Sequence, residues 1–235
     1  DRNSIVNTKS NHFIISKVCQ LLIDTAKDVA NSEVSWKPMK LLAFDEETEN
    51  SLSDFDFSNK LIALIKNSKL FPTIYKEYRS TKESTVFYEE NFADVIDFTK
   101  YGMLSNLLLH TEEKPLRRLL KKIGLSTYEP MSLCKAINAS NFDLTDRAKL
   151  IMFFSQSSIL SGNTLPKLLL DQHNSSVENS IEVFTTPEEV TLRFPENVEV
   201  KFLNDHLLDA LKSQRPERSR TNRDIVNFVG TKFNL

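Results

Sequence analysis

The chain has 235 residues, a formal net charge of −2, 40% hydrophobic and 26% charged residues, sixteen Phe and four Gly. That near-neutral balance excludes a global attraction to nucleic acid or anionic lipid, and no apolar run approaches the ~20 residues of a spanning helix. The scarcity of glycine argues against a glycine-rich phosphate loop or a flexible linker, and the length allows one large domain or two small ones with a core of their own.

In chain order, Phe13, Ile14, Val18, Leu21, Leu22, Thr25 and Val29 recur at helical spacing and predict a helix over 11–30. Trp36-Lys37-Pro38 then breaks the pattern. Residues 45–56 (DEETENSLSDFD) read as a solvated acidic loop. Leu61, Ile62, Leu64 and Ile65 predict a helix for which Ser58 is a cap. Pro72, among Leu70, Phe71, Ile74, Tyr75 and Tyr78, marks an edge strand or a strand end. TVFYEE is a second extended piece, 91–98 is a short helix or extended chain, and Leu107 to His110 is a short strand.

The segment 112–124 (EEKPLRRLLKKIG) predicts a helix with Glu112 and Glu113 in its first turn, an early Pro115, Lys121 and Lys122 in its last turn, and Gly124 as its stop. Further helices are expected at 129–138 and at 142–157, the latter capped by Asp143 or Thr145. TLPKLLLDQ, SIEVFTT, TLRFP and VEVKFL read as strands of a small sheet. Helices at 205–213 and 220–233 end the chain. The fold class is therefore α+β, helix-dominant, with small mixed sheets of short strands. The division expected is 1–110, then 111–235 with helices over 112–157, short strands over 165–203 and C-terminal helices. The chain opens without Met and both ends run into apolar helices, so both read as cuts through a longer protein.

Cys19 and Cys134 lie in helical apolar patterns and read as buried free thiols, which fits a reducing cytoplasm. His12, His110, His173 and His206 fall at no metal-motif spacing; the DQH and DH segments at 171–173 and 205–206 suit turns and helix starts as well as ligands. No metal is expected. Neither a nucleophile elbow nor a phosphate-loop signature occurs. The carboxylate pairs Glu46/Glu47, Glu89/Glu90 and Glu188/Glu189 sit in polar surroundings and read as solvated.

Two basic clusters stand out. Arg117, Arg118, Lys121 and Lys122 share the polar flank of one helix, and Arg215, Arg218, Arg220 and Arg223 fall within nine residues. Either is a phosphate contact or a solvated surface, and the second is the better nucleic-acid candidate.

The opening R-N-S-I-x-x-x-K-S-N-x-F-I-I-x-K resembles the middle segment of GHKL-type ATPases of the heat-shock-chaperone class, and of their sacsin-like relatives. KLFPTIYKEYRSTKEST, LRRLLKKIGLSTYEPMSL and LPKLLLDQHNSSVENSIEVFTTPE resemble successive sacsin-like units in the same order, so the likeness spans most of the chain. It implies that 1–110 is middle-domain-like and that ATP and Mg bind in an upstream domain, not in these residues. It also implies that Arg2 reaches the terminal phosphate when the domains close; the alternative is a terminal residue with no role. Where the family chaperones carry Gln four residues after this Arg, this chain has Val6.

The function the resemblance implies is that of a non-catalytic coupling and client-binding region in a larger cytoplasmic ATPase. Its partners would be the upstream domain and a protein client or subunit, with no membrane. The alternative is a nucleic-acid-binding module of a DNA-repair or phage-defence protein.

Overall fold

The computed structural model describes residues 6–86, 92–157, 165–185, 200–217, 220–233 and 235. Its elements are α1 (Lys9–Ala30), α2 (Lys37–Lys40), α3 (Glu46–Ser51), α4 (Phe57–Lys66), β1 (Phe71–Pro72), β2 (Tyr78–Arg79), β3 (Thr85–Val86), α5 (Phe92–Val95), α6 (Lys114–Ile123), β4 (Ser126–Thr127), α7 (Pro130–Asn138), α8 (Leu144–Gln156), α9 (Asp205–Ser213) and α10 (Asn222–Phe233). The class is helix-dominant α+β, as the sequence predicts. The chain forms two compact units, Asp1–Tyr88 with Leu104–Thr127, and Glu89–Met103 with Tyr128–Leu235.

In the first unit, α1 starts where the Thr8 hydroxyl accepts the Asn11 N–H at 3.2 Å. Its core face is Ile15, Cys19, Ile23 and Ala26, spaced three and four residues apart. That face packs on α4, whose buried residues are Phe57, Leu61 and Ile65. Trp36, Met39 and Leu42 join the same core, as do Leu116, Leu119, Leu120 and Ile123 of α6. Of the periodic set read from the sequence, Phe13, Ile14, Val18, Leu21 and Thr25 face outward instead, while Leu22 packs against the core. Both sides of this helix are apolar, so periodicity alone does not choose between them.

Residues 45–56 are largely helical rather than a loop. Asp45 accepts the Thr48 N–H at 2.7 Å and starts α3, whose first turn carries Glu46, Glu47 and Glu49 against the positive end of the helix dipole. A 3₁₀ turn over Ser53–Phe55 then buries Phe55. Ser58 lies inside α4 rather than capping it. The chain enters that helix through Asp56 in the left-handed region (φ 54°), and Asp56 takes the Asn59 side-chain amide at 2.7 Å.

Pro72 does end a strand. β1 and β2 form an antiparallel hairpin with Phe71 opposite Arg79 and Pro72 opposite Tyr78. The Ser-x-x-Glu that follows is a capping box, in which Ser80 N–H donates to Glu83 at 3.2 Å and the hydroxyl donates at 2.7 Å. β3 pairs parallel with β4. Leu107 and Leu108 reach β3 and Thr73 through single bridges only. α6 begins two residues later than expected, so Glu112 and Glu113 both precede the helix instead of occupying its first turn. Gly124 ends it at φ 71°, donating to the carbonyls of Leu120 and Lys121.

The second unit is built on α8. Ala148, Leu150, Ile151 and Phe154 are buried, and the helix packs against α5, α9 and α10. Phe92 of α5 meets Phe98, Phe153 and Phe154 at ring-centroid distances of 4.9, 5.4 and 6.0 Å. Asp143, not Thr145, caps α8 through the Asp146 N–H at 2.8 Å.

The described parts of 165–203 form single bridges (Leu170 with Ser176, Asp171 with Leu203, Phe184 with Phe202) where strands were expected. Side-chain amides take backbone partners a ladder would need: Asn138 accepts the Lys167 N–H, Gln172 accepts the Phe202 N–H, and Asn179 donates to the Leu165 carbonyl. TLRFP lies outside the described residues.

Candidate functional site

The most exposed apolar surface in the first unit is the outer face of α1. Phe13, Ile14, Val18 and Leu21 are 63, 53, 39 and 67% exposed. Ile14, Val18 and Leu21 advance by four and three residues, so they form one stripe along the helix, and Phe13 widens it at one end. The flank is charged. Lys17 Nζ lies 5.4 Å from the Phe13 ring centroid. Asp24 accepts from the Gln20 amide at 3.0 Å and pairs with Lys27 at 3.4 Å. A contiguous apolar patch of this kind, with polar groups at its rim, is the usual form of a contact surface for another macromolecule.

The basic flank of α6 is largely committed within its own unit. Arg117 Nε donates to the Thr111 carbonyl at 2.7 Å. Arg118 donates to the Phe44 carbonyl and pairs with Glu46 at 3.0 Å, and Lys122 pairs with Glu49. The acids that neutralise this flank come from α3, the segment the sequence reads as a loop.

The second basic cluster is split. The Arg215 guanidinium stacks 4.2 Å from the Phe228 ring centroid, and its chain is half-buried. Arg220 is exposed, with Nε donating to the Arg215 carbonyl at 3.0 Å. Arg223 is exposed in the first turn of α10. That turn is closed by Thr221 and Asp224, which exchange backbone and side-chain bonds at 3.2 Å. The Thr221 hydroxyl, the Thr221 N–H and the nearby Arg215 and Arg223 charges hold the Asp224 carboxyl below the usual range. Arg218 and Arg2 lie outside the described residues, as do Glu89, Glu90, Glu188 and Glu189.

Three polar clusters in the second unit serve the fold. At the start of α8, the Tyr101 hydroxyl donates to Asp146 at 2.7 Å, and Lys100 bonds Asp143 and, at 3.4 Å, Asp146. The Lys100 bond holds the Asp143 carboxyl low, and burial with the Asp146 bond pushes the Tyr101 phenol up. Asp171, from the DQH segment, is buried. It accepts the His173 and Ser175 N–H groups, both at 2.9 Å, and Lys201 at 3.2 Å. Burial would raise its carboxyl, and those bonds outweigh burial and hold it low.

Arg147 is 5% exposed. It donates to the carbonyls of Leu168 at 3.1 Å and Lys167 at 3.4 Å, and no described carboxylate pairs with it. Burial lowers its affinity for the proton. Neither this residue nor the outward sense of the α1 stripe is signalled by the sequence, since no spacing marks an Arg that turns inward.

Cys19 and Cys134 are buried free thiols, each raised by burial. No helix among the described residues is long and apolar enough to cross a membrane. Comparison with known proteins returns no matching family model, no matching curated protein and no matching solved structure.

Proposed function

We propose that this chain is a coupling and partner-binding region of a larger cytoplasmic ATP-driven protein of the heat-shock-chaperone or sacsin-like type, without catalysis of its own. The observation that carries the reading is the apolar stripe on α1, held rigid by a core face on the other side of the same helix. A docking residue on a well-packed helix loses little conformational entropy on binding. The order of the sequence units that resemble the family supports the ATP-driven part. ATP and Mg would bind upstream, and the Arg2 guanidinium would meet the terminal phosphate.

The test restores upstream sequence and measures ATP turnover with and without a client. Arg2→Ala should lower turnover, and Leu21→Asp should remove stimulation by the client while basal turnover stays. Unchanged turnover in the first variant refutes the Arg2 role; unchanged stimulation in the second refutes the docking face.

A second reading, a nucleic-acid-binding module, is favoured by Arg220 and Arg223, both exposed at the positive end of α10. Salt-dependent binding of duplex and single-stranded DNA, lost in Arg220→Ala with Arg223→Ala, would establish it. No binding at physiological salt would remove it.

A further inference from the structure

We infer that the outer face of α1 pairs with the same face of a second copy of this chain, in antiparallel orientation. The inference rests on the reading of that face as a docking surface and names its occupant. Ile14, Val18, Leu21 and Thr25 occupy successive four- and three-residue steps, which is the seam spacing of two helices packed side by side. Thr25 is exposed as well and closes the stripe with a side chain that tolerates water.

The charges select the orientation. Lys17 and Asp24 are seven residues apart, two turns on, and so lie on the same flank of the stripe. In a parallel, in-register pair the two-fold axis runs along the seam and puts the Lys17/Asp24 flanks of the two copies on opposite sides, so neither charge would meet its opposite. With a two-fold axis between the Val18 and Leu21 turns, Lys17 of each copy instead meets Asp24 of the second copy. Val18 then packs on Leu21 across the axis and Ile14 on Thr25. One surface thus satisfies itself twice, which is the condition for an isologous two-fold contact.

The contacts these charges make within their own helix do not oppose this. Lys27 and Asp24 have side chains 51 and 53% exposed, and a pair in that setting is weak. Lys17 is free to swing off the Phe13 ring, because cation–ring contacts at exposed sites are also weak.

The area sets the strength. The four apolar side chains leave roughly 400 Å² uncovered per copy, about half of the ~800 Å² per partner in a standard stable interface. The pair is therefore a weak, concentration-dependent dimer.

Sedimentation equilibrium of the full chain over a wide concentration range tests it. The expected result is a reversible monomer–dimer equilibrium. Lys17→Asp and Asp24→Lys should each weaken it by about tenfold, and the double variant should return to within about threefold of the parent, because it restores both cross pairs. Circular dichroism verifies that each variant keeps its helix content.

A monomer at every concentration overturns the inference, and so does a dimer indifferent to the charge exchange. In either case the client-stimulation assay with Leu21→Asp still reads the docking face separately: loss of stimulation there assigns the face to a different occupant, and retention removes the face altogether.

Discussion

Ile23 and Leu21 are two residues apart on α1, yet one is 1% exposed and the other 67%. Truncating each to alanine isolates burial from every other variable, since both sit mid-helix and both replacements favour helix slightly. For Ile23→Ala, the lost transfer free energy of a fully buried aliphatic chain is about 1.5–3 kcal/mol, and the cavity left between α1 and α4 adds to it. The expected cost is about 3 kcal/mol. For Leu21→Ala, a third of the side chain is covered, so the same scale gives at most about 0.5–1 kcal/mol.

The single Trp, Trp36, is 7% exposed in the core of the same unit, so its fluorescence during urea unfolding reports this core and no other. With a urea slope of about 1–3 kcal/mol/M, Ile23→Ala should move the midpoint down by about 1 M or more, and Leu21→Ala by about a third of that shift or less, at unchanged slope. Equal shifts would mean that the stripe is buried and that the outward sense of α1, on which the docking argument depends, is wrong.

Asp143→Ala should cost about 1 kcal/mol by removing the α8 cap, whereas Asp143→Asn, which still accepts the Asp146 N–H, should cost less, as read from thermal melting. The folded-state carboxyls of Asp143 and Asp171 are depressed, so their stabilisation is present above the unfolded value of about 3.9 and is lost as pH falls through the lower folded value; melting temperature should drop below about pH 4, and less steeply in Asp143→Asn. At Arg147, Arg147→Lys should destabilise more than Arg147→Met: an ammonium is more strongly hydrated than a guanidinium and cannot fork to two carbonyls, while Met fills the volume without a charge to desolvate. Equal melting temperatures for those two variants would show that desolvation does not govern the site. Gly124→Ala should cost about 1 kcal/mol because φ 71° is strained for any Cβ, even though the space around it is open.

Helices with one apolar stripe were legible from the sequence. α6 carries its leucines on one side, its cations on the other and Gly124 at its end, so pattern, charge and stop agree. α8 announced its start through two candidate caps, of which Asp143 serves, and Pro72 marked an edge strand or a strand end, of which it is the end, because capping and the missing proline N–H are local chemistry. The acidic stretch at 45–56 was misread because its composition is that of a solvated loop. Its helix depends on Asp45 as a cap and on Arg118 and Lys122, distant in sequence, as counter-charges.

What the sequence determined by itself is the local part: most of the helical segments, the stop of α6 at Gly124, which segments are apolar, and that both thiols are buried. Tertiary structure alone decided which of two apolar faces of α1 meets α4 and which meets solvent, and which cations are already spent on carbonyls and carboxylates. It also decided that residues 92–103 pack with α8. The physical reason is that periodicity, capping and turn chemistry act over a few residues. Burial and charge pairing, by contrast, are sums over neighbours that only the folded chain brings together.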